Sequence, residues 1–117
     1  LNNETNNMIN KEWFHKMKKG SYLVTTARGS IHNENDLFEF LSNKHLAGAG
    51  LDVWGYEPPS SSHKLLKLDN KKHHLHVSSH PSPLSVMKKY KEFPAFYYSK
   101  PFSQINSLLP NKQKIIW

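Results

Sequence analysis

Apolar residues fall in short bursts along this chain, spaced first at helical and then at strand intervals. Trp13, Phe14 and Met17 stand at i, i+1 and i+4, one side of a helix predicted from Lys11 to Lys18. Asn10 before it suits the N-cap, and Gly20 after it can take the left-handed conformation that closes a helix. Tyr22-Leu23-Val24 has β-rich character and predicts a short buried strand. Ala27 to Ile31 reads as a turn carrying Gly29. A second helix follows Asn33, with Leu37, Phe38 and Leu41 facing the core and Asn43-Lys44 closing it. Leu46 to Val53 predicts a second strand, whose small residues allow close approach of neighbouring backbone. Trp54 to Ser62 is a loop, Lys64 to Leu68 one helical turn, and Leu75 to Ser78 a third, weaker strand. Leu84 to Phe93 could form a helix that Pro94 interrupts, Ala95 to Tyr98 a resumed turn, and the rest a tail apolar in patches.

Helix and strand alternate at short spacing, the pattern of βα units in a parallel sheet with helices on its faces. Polar residues then sit where strands end. Arg28 lies past the first strand, Asp52 and Glu57 at and past the second, and His80 past the third. Ligands of open α/β sheets collect outside the carboxyl ends of strands, so all four are expected on one rim.

Composition sharpens this picture at one residue. Of the 16 basic residues, Arg28 is the only arginine. Its planar fork can hold a carboxylate through two parallel hydrogen bonds, which an ammonium cannot. An Arg, a Glu and a His together supply what is needed to hold a 2-keto acid and protonate its carbonyl while a hydride arrives. The net charge of +7 could suit nucleic acid, but the lysines are scattered in pairs and triplets and arginine is nearly absent. A drift toward Asn and Lys accounts for the charge, and no nucleic-acid partner is expected. With no cysteine, disulfides and thiolate metal sites are excluded. His73, His74, His76 and His80 have no carboxylate or thiolate beside them, so no metal site is expected. The polar opening reads as no leader, and no apolar run approaches the ~20 residues of a membrane helix. At 117 residues the chain suits one small domain or part of a larger one.

Three blocks carry a family likeness. Met17-Lys18-Lys19-Gly20-Ser21-Tyr22-Leu23-Val24-Thr25-Thr26-Ala27-Arg28-Gly29 resembles K-x-G-x-x-x-x-N-x-x-R-G. Ala49-Gly50-Leu51-Asp52-Val53-Trp54 with Glu57-Pro58 resembles G-L-D-V-x-x-x-E-P, and Ser78-Ser79-His80 stands where T-P-H is usual. In this order they resemble the cofactor-binding domain of the D-isomer-specific 2-hydroxyacid dehydrogenases. The resemblance implies a partial doubly wound parallel sheet of Rossmann type, the C-terminal part of a cofactor-binding domain. Residues 1–93 would belong to that domain and 94–117 would form a divergent tail.

The resemblance also implies roles. Arg28 would bind the substrate carboxylate and carbonyl. His80 would protonate the carbonyl oxygen as NADH or NADPH delivers hydride. Glu57 would hydrogen-bond the far nitrogen of His80 and favour its charged form. Asp52 would hold the nicotinamide carboxamide, with Thr26, Ala27, Arg28 and His80 lining the cofactor. Glu57 leans away from the formate dehydrogenase branch, which has Gln there, and toward glyoxylate, hydroxypyruvate or similar 2-keto acids. The full-length protein would be a cytoplasmic homodimer. A nucleotide-sensing corepressor-like scaffold and a nonfunctional remnant are the alternatives.

The chain also departs from the pattern. Gly48-Ala49-Gly50 begins like a dinucleotide-binding turn, but Val53 stands where its third glycine belongs. Without that turn, these residues should not hold NAD(H) tightly by themselves. Thr25 replaces Asn, weakening a bond expected to brace the loop. Proline is missing before His80 and appears at Pro81 and Pro83.

Overall fold

A computed structural model of the protein describes residues 1–69 and 73–116. The chain divides after Leu75 into two compact units. The first unit holds helix α1 (Lys11–Lys16), strand β1 (Ser21–Thr25), helix α2 (Glu34–Ser42) and strand β2 (Leu46–Leu51). Short 3-10 turns at Gly29–Ile31 and Lys64–Lys67 complete it.

Both expected caps form. The Asn10 side chain accepts the Glu12 N–H, and the Asn33 side chain accepts those of Asn35 and Asp36. Each satisfies amide groups that a helix start leaves without an internal partner. Helix α1 stops at Lys16, short of Lys18, because Met17 turns to extended backbone while its N–H bonds Phe14. Gly20 does adopt positive φ, at 84°, but in the turn entering β1 rather than at the helix end. There its N–H reaches the His45 carbonyl at 2.7 Å.

The two strands pair in parallel, joined through α2, as a βαβ unit requires. A register irregularity lies between Ser21 and Tyr22, after which Tyr22 faces Gly48 and Val24 faces Gly50. A Cβ on Gly48 would stand 3.2 Å from the Tyr22 ring, so the small residues do allow the close approach expected of them. β2 ends at Leu51 rather than Val53.

Phe14, Leu37, Phe40, Leu41, Leu46 and Leu65 form the core, with Met17, Leu23 and Phe38 packed on its margin. Burying each large apolar side chain contributes about 1.5–3 kcal/mol. Three expectations need correction. Trp13 is 51% exposed and lies outside this core. Phe40, rather than Phe38, is the deeply buried phenylalanine of α2. Tyr22 and Val24 are 71% and 77% exposed, so β1 is covered on one face alone, with Leu23 turned toward the core.

The second unit, from His76 onward, contains helices α3 (Phe96–Ser99) and α4 (Pro101–Leu108). The expected strand Leu75 to Ser78 is not formed; the segment is irregular. Nor do Leu84 to Phe93 form a helix. Turns at Ser82–Met87 and a bridge between Tyr90 and Phe93 take their place. The Ser79 hydroxyl accepts the Phe96 N–H at 3.0 Å, and the Ser79 N–H bonds the Pro94 carbonyl. Ala95, Ser99 and Pro101 are the buried residues among those described in this unit. Trp117, part of the apolar tail in the sequence, lies outside the described residues.

Candidate functional site

The first unit gathers five of the six expected residues on the loops that follow its two parallel strands. Thr26, Ala27 and Arg28 leave β1 and are exposed; Asp52 leaves β2 and is exposed. The loops are tied at their roots, where the Asp52 N–H donates to the Thr25 carbonyl at 3.1 Å. Thr25 also braces the Arg28 loop, its hydroxyl oxygen accepting the Ala27 N–H at 3.2 Å. Arg28 has extended backbone, and its carbonyl accepts the Ile31 N–H at 3.0 Å to open the 3-10 turn.

Gly29 explains why the next position admits no side chain. A Cβ there would lie 1.9 Å from the Trp54 carbonyl oxygen and 2.4 Å from the Gly55 nitrogen. The Arg28–Gly29 turn is thus wedged against the loop that carries Glu57. Glu57 is exposed, and its Oε1 folds back to accept the Trp54 N–H at 3.0 Å.

His80 belongs to the second unit, on irregular chain rather than at a strand end. Its Nδ1 accepts the Ser82 N–H at 3.1 Å, and its carbonyl accepts the Ser85 hydroxyl. That bond leaves Nε2 as the ring atom able to carry the hydrogen of the neutral form.

Three residues of the first unit escaped the sequence reading. Glu34 accepts the Gly55 N–H at 2.9 Å with Oε1 and meets the His63 ring at 3.0 Å with Oε2. His63 also stacks edge-on against Trp54, with ring centroids 5.2 Å apart. His32 is 3% exposed, and neither ring nitrogen has a hydrogen-bond partner. Burial pushes its pKa below the usual value, opposed by the nearby Glu34 charge. Glu34 carried one faint signal, an acid just after a cap residue. Nothing local marks its partners 21 and 29 residues away.

Gly48-Ala49-Gly50, which begins like a dinucleotide-binding turn in the sequence, lies inside strand β2. Among the described residues no group of three or more His, Cys, Asp or Glu could hold a metal ion.

Residues 1–80 match the model of the D-isomer specific 2-hydroxyacid dehydrogenase NAD binding domain. The chain belongs to this family. Its fold is that of a Rossmann-like NAD-binding domain, present as a small α/β portion with a parallel sheet. Similar dehydrogenases include the formate dehydrogenase of Neurospora crassa, 48% identical over 65 residues, covering 56% of this chain and 17% of that enzyme. Formate dehydrogenase 1 of Saccharomyces cerevisiae is 35% identical over 111 residues, covering 87% of this chain and 29% of the enzyme. Glyoxylate reductase of Thermofilum pendens is 44% identical over 70 residues, covering 60% of this chain and 21% of the reductase. The chain therefore spans less than a third of the length of these dehydrogenases.

Among solved structures, the NAD-dependent formate dehydrogenase of Staphylococcus aureus in complex with NAD aligns with TM-score 0.55 and 43% identity. The match covers 58% of this chain and 20% of that one. A probable 2-hydroxyacid dehydrogenase from Rhizobium etli, in complex with NADP, aligns with TM-score 0.55 and 28% identity, covering 60% and 24%. Both forms of the cofactor thus occur among the dehydrogenases that this chain resembles.

Proposed function

We propose that the full-length protein transfers hydride between NADH or NADPH and a small 2-keto acid, of the size of glyoxylate or hydroxypyruvate. The observation that carries this reading is the wedging of Gly29 against Trp54 and Gly55, which ties the Arg28 turn to the Glu57 loop. The cofactor, when bound, supplies or receives the hydride. Arg28 clasps the substrate carboxylate through its fork and orients the carbonyl. His80 gives a proton to the carbonyl oxygen as the carbon is reduced, and takes one back in the reverse direction. Glu57 favours the charged imidazole. Asp52 accepts hydrogen bonds from the carboxamide, and Thr26 and Ala27 line the cofactor. The products are the 2-hydroxy acid and the oxidised nucleotide. In this reading residues 1–93 belong to the cofactor domain, 94–117 form a tail, and the protein works as a cytoplasmic homodimer.

A second reading, oxidation of formate, is favoured by the formate dehydrogenases among the similar proteins. The two differ in proton chemistry. Formate loses hydride to become carbon dioxide, and no oxygen gains or loses a proton. Reducing a keto acid requires a proton donor, the role given to His80, whose charged form Glu57 favours.

Assays of the full-length protein with glyoxylate or hydroxypyruvate plus NADH, and with formate plus NAD, separate the readings. Keto acid reduction should fall about ten- to a hundredfold in kcat/KM in Arg28→Lys, which trades a fork for a point charge. Formate oxidation without keto acid reduction would overturn the first reading in favour of the second.

A further inference from the structure

Glu57 does not aim itself. Its carboxylate closes a small ring onto the Trp54 N–H, so residues 54–57 form a unit whose orientation is set from outside. The outside hold is Glu34, in the first turn of α2. One of its oxygens accepts the Gly55 N–H, and the other faces Nε2 of His63. Gly55 leaves room for this, since a Cβ there would sit 3.4 Å from both carboxylate oxygens.

The proton on His63 can be assigned from its neighbours. Its Nδ1 accepts the Leu65 N–H at 3.3 Å, capping the turn Lys64–Lys67, so that nitrogen carries a lone pair. In the neutral ring the hydrogen then lies on Nε2 and is donated to Glu34. Glu34 therefore meets two donors with two acceptors. Lys64 adds a second tie to the same helix start, donating to the Asn35 side chain at 3.0 Å. Asn33 fixes that helix start in turn.

We propose that Glu34 is a positioning residue, clamping Gly55 with one carboxylate oxygen and His63 with the other so that helix α2 sets the orientation of the Glu57 loop. The proposal rests on the hydride-transfer reading of Glu57 given above. It reaches Arg28 as well, because Gly29 abuts the carbonyl of Trp54 and the nitrogen of Gly55.

Glu34→Gln tests the clamp. An amide has one acceptor oxygen and one donor nitrogen, so it cannot accept from both Gly55 and His63. If its oxygen keeps Gly55, its NH2 faces Nε2, and the His63 hydrogen must move to Nδ1, ending the cap on Leu65. The full-length protein, labelled with 15N at histidine, should show the Nε2–H form at His63, and Glu34→Gln should shift it to Nδ1–H. An Nδ1–H ring in the unaltered protein would overturn the clamp.

Turnover tests the route through Glu57. Glu34→Gln should lower kcat for keto acid reduction about tenfold through misplacement of the loop. In Glu57→Gln, adding Glu34→Gln should cost almost nothing more, because both changes strike the same function. Fully additive losses would overturn the positioning role. Absence of keto acid turnover in the unaltered protein would instead overturn the hydride-transfer reading, while the histidine spectrum still decides whether the clamp exists.

Discussion

Gly29 shows how much one absent side chain can govern. Any Cβ there would have to displace the backbone of Trp54 and Gly55, which no rotamer change can avoid. Gly29→Ala should cost about 3 kcal/mol, read as a lower urea midpoint. The Arg-Gly pair was legible from its motif, although the reason for the glycine was not, since Trp54 is remote in sequence. His32 was not legible at all. It follows Ile31 in an unremarkable turn, yet it is buried without hydrogen-bond partners. Because burial holds its folded-state pKa below 6.5, the unfolded chain takes up a proton first as the pH falls. Stability linked to His32 should be complete above about pH 6.5 and decline below it toward the folded-state value. Denaturation curves between pH 7.5 and about 5 should show this slope in the unaltered protein and a shallower one in His32→Leu.

Elements of the first unit followed local chemistry closely. Asn10 and Asn33 open helices, while apolar spacing set which faces turn inward. Asn33→Ala should lower stability by about 1 kcal/mol in the same urea experiment, because two amides lose their shared acceptor. The reading failed where covering surface decides the outcome. Tyr22-Leu23-Val24 reads as buried from its hydropathy, but alternation exposes Tyr22 and Val24 on a face that nothing in the first unit covers. In the second unit, Pro101 begins α4 within what reads from the sequence as an irregular apolar tail, as proline at a first helical position can. Leu75 to Ser78, a weak candidate with Val77 its one β-branched residue, forms no strand and pairs with neither β1 nor β2.

At the scale of the whole molecule, the chain is a small α/β portion of a Rossmann-like NAD-binding domain. Its best glycine run forms a strand paired to β1, where backbone amides serve the ladder and cannot gather around an anion. NADH titrated into these 117 residues alone should give no saturable heat or fluorescence change at micromolar concentrations. Saturable binding in that range would show that another phosphate-holding surface exists. Among the described residues, no helix is long and apolar enough to cross a membrane.

Sequence by itself determined the family, the parallel βα pattern, the caps and the strand-end placement of Arg28, Asp52 and Glu57. These depend on residues close along the chain, where backbone preference and side-chain spacing act directly. Tertiary structure alone decided that Gly29 meets Trp54, that Glu34 holds Gly55 and His63, and that His32 is sealed from water. Such contacts join segments far apart in the chain, and their energies exist only once folding has brought the partners within bonding distance.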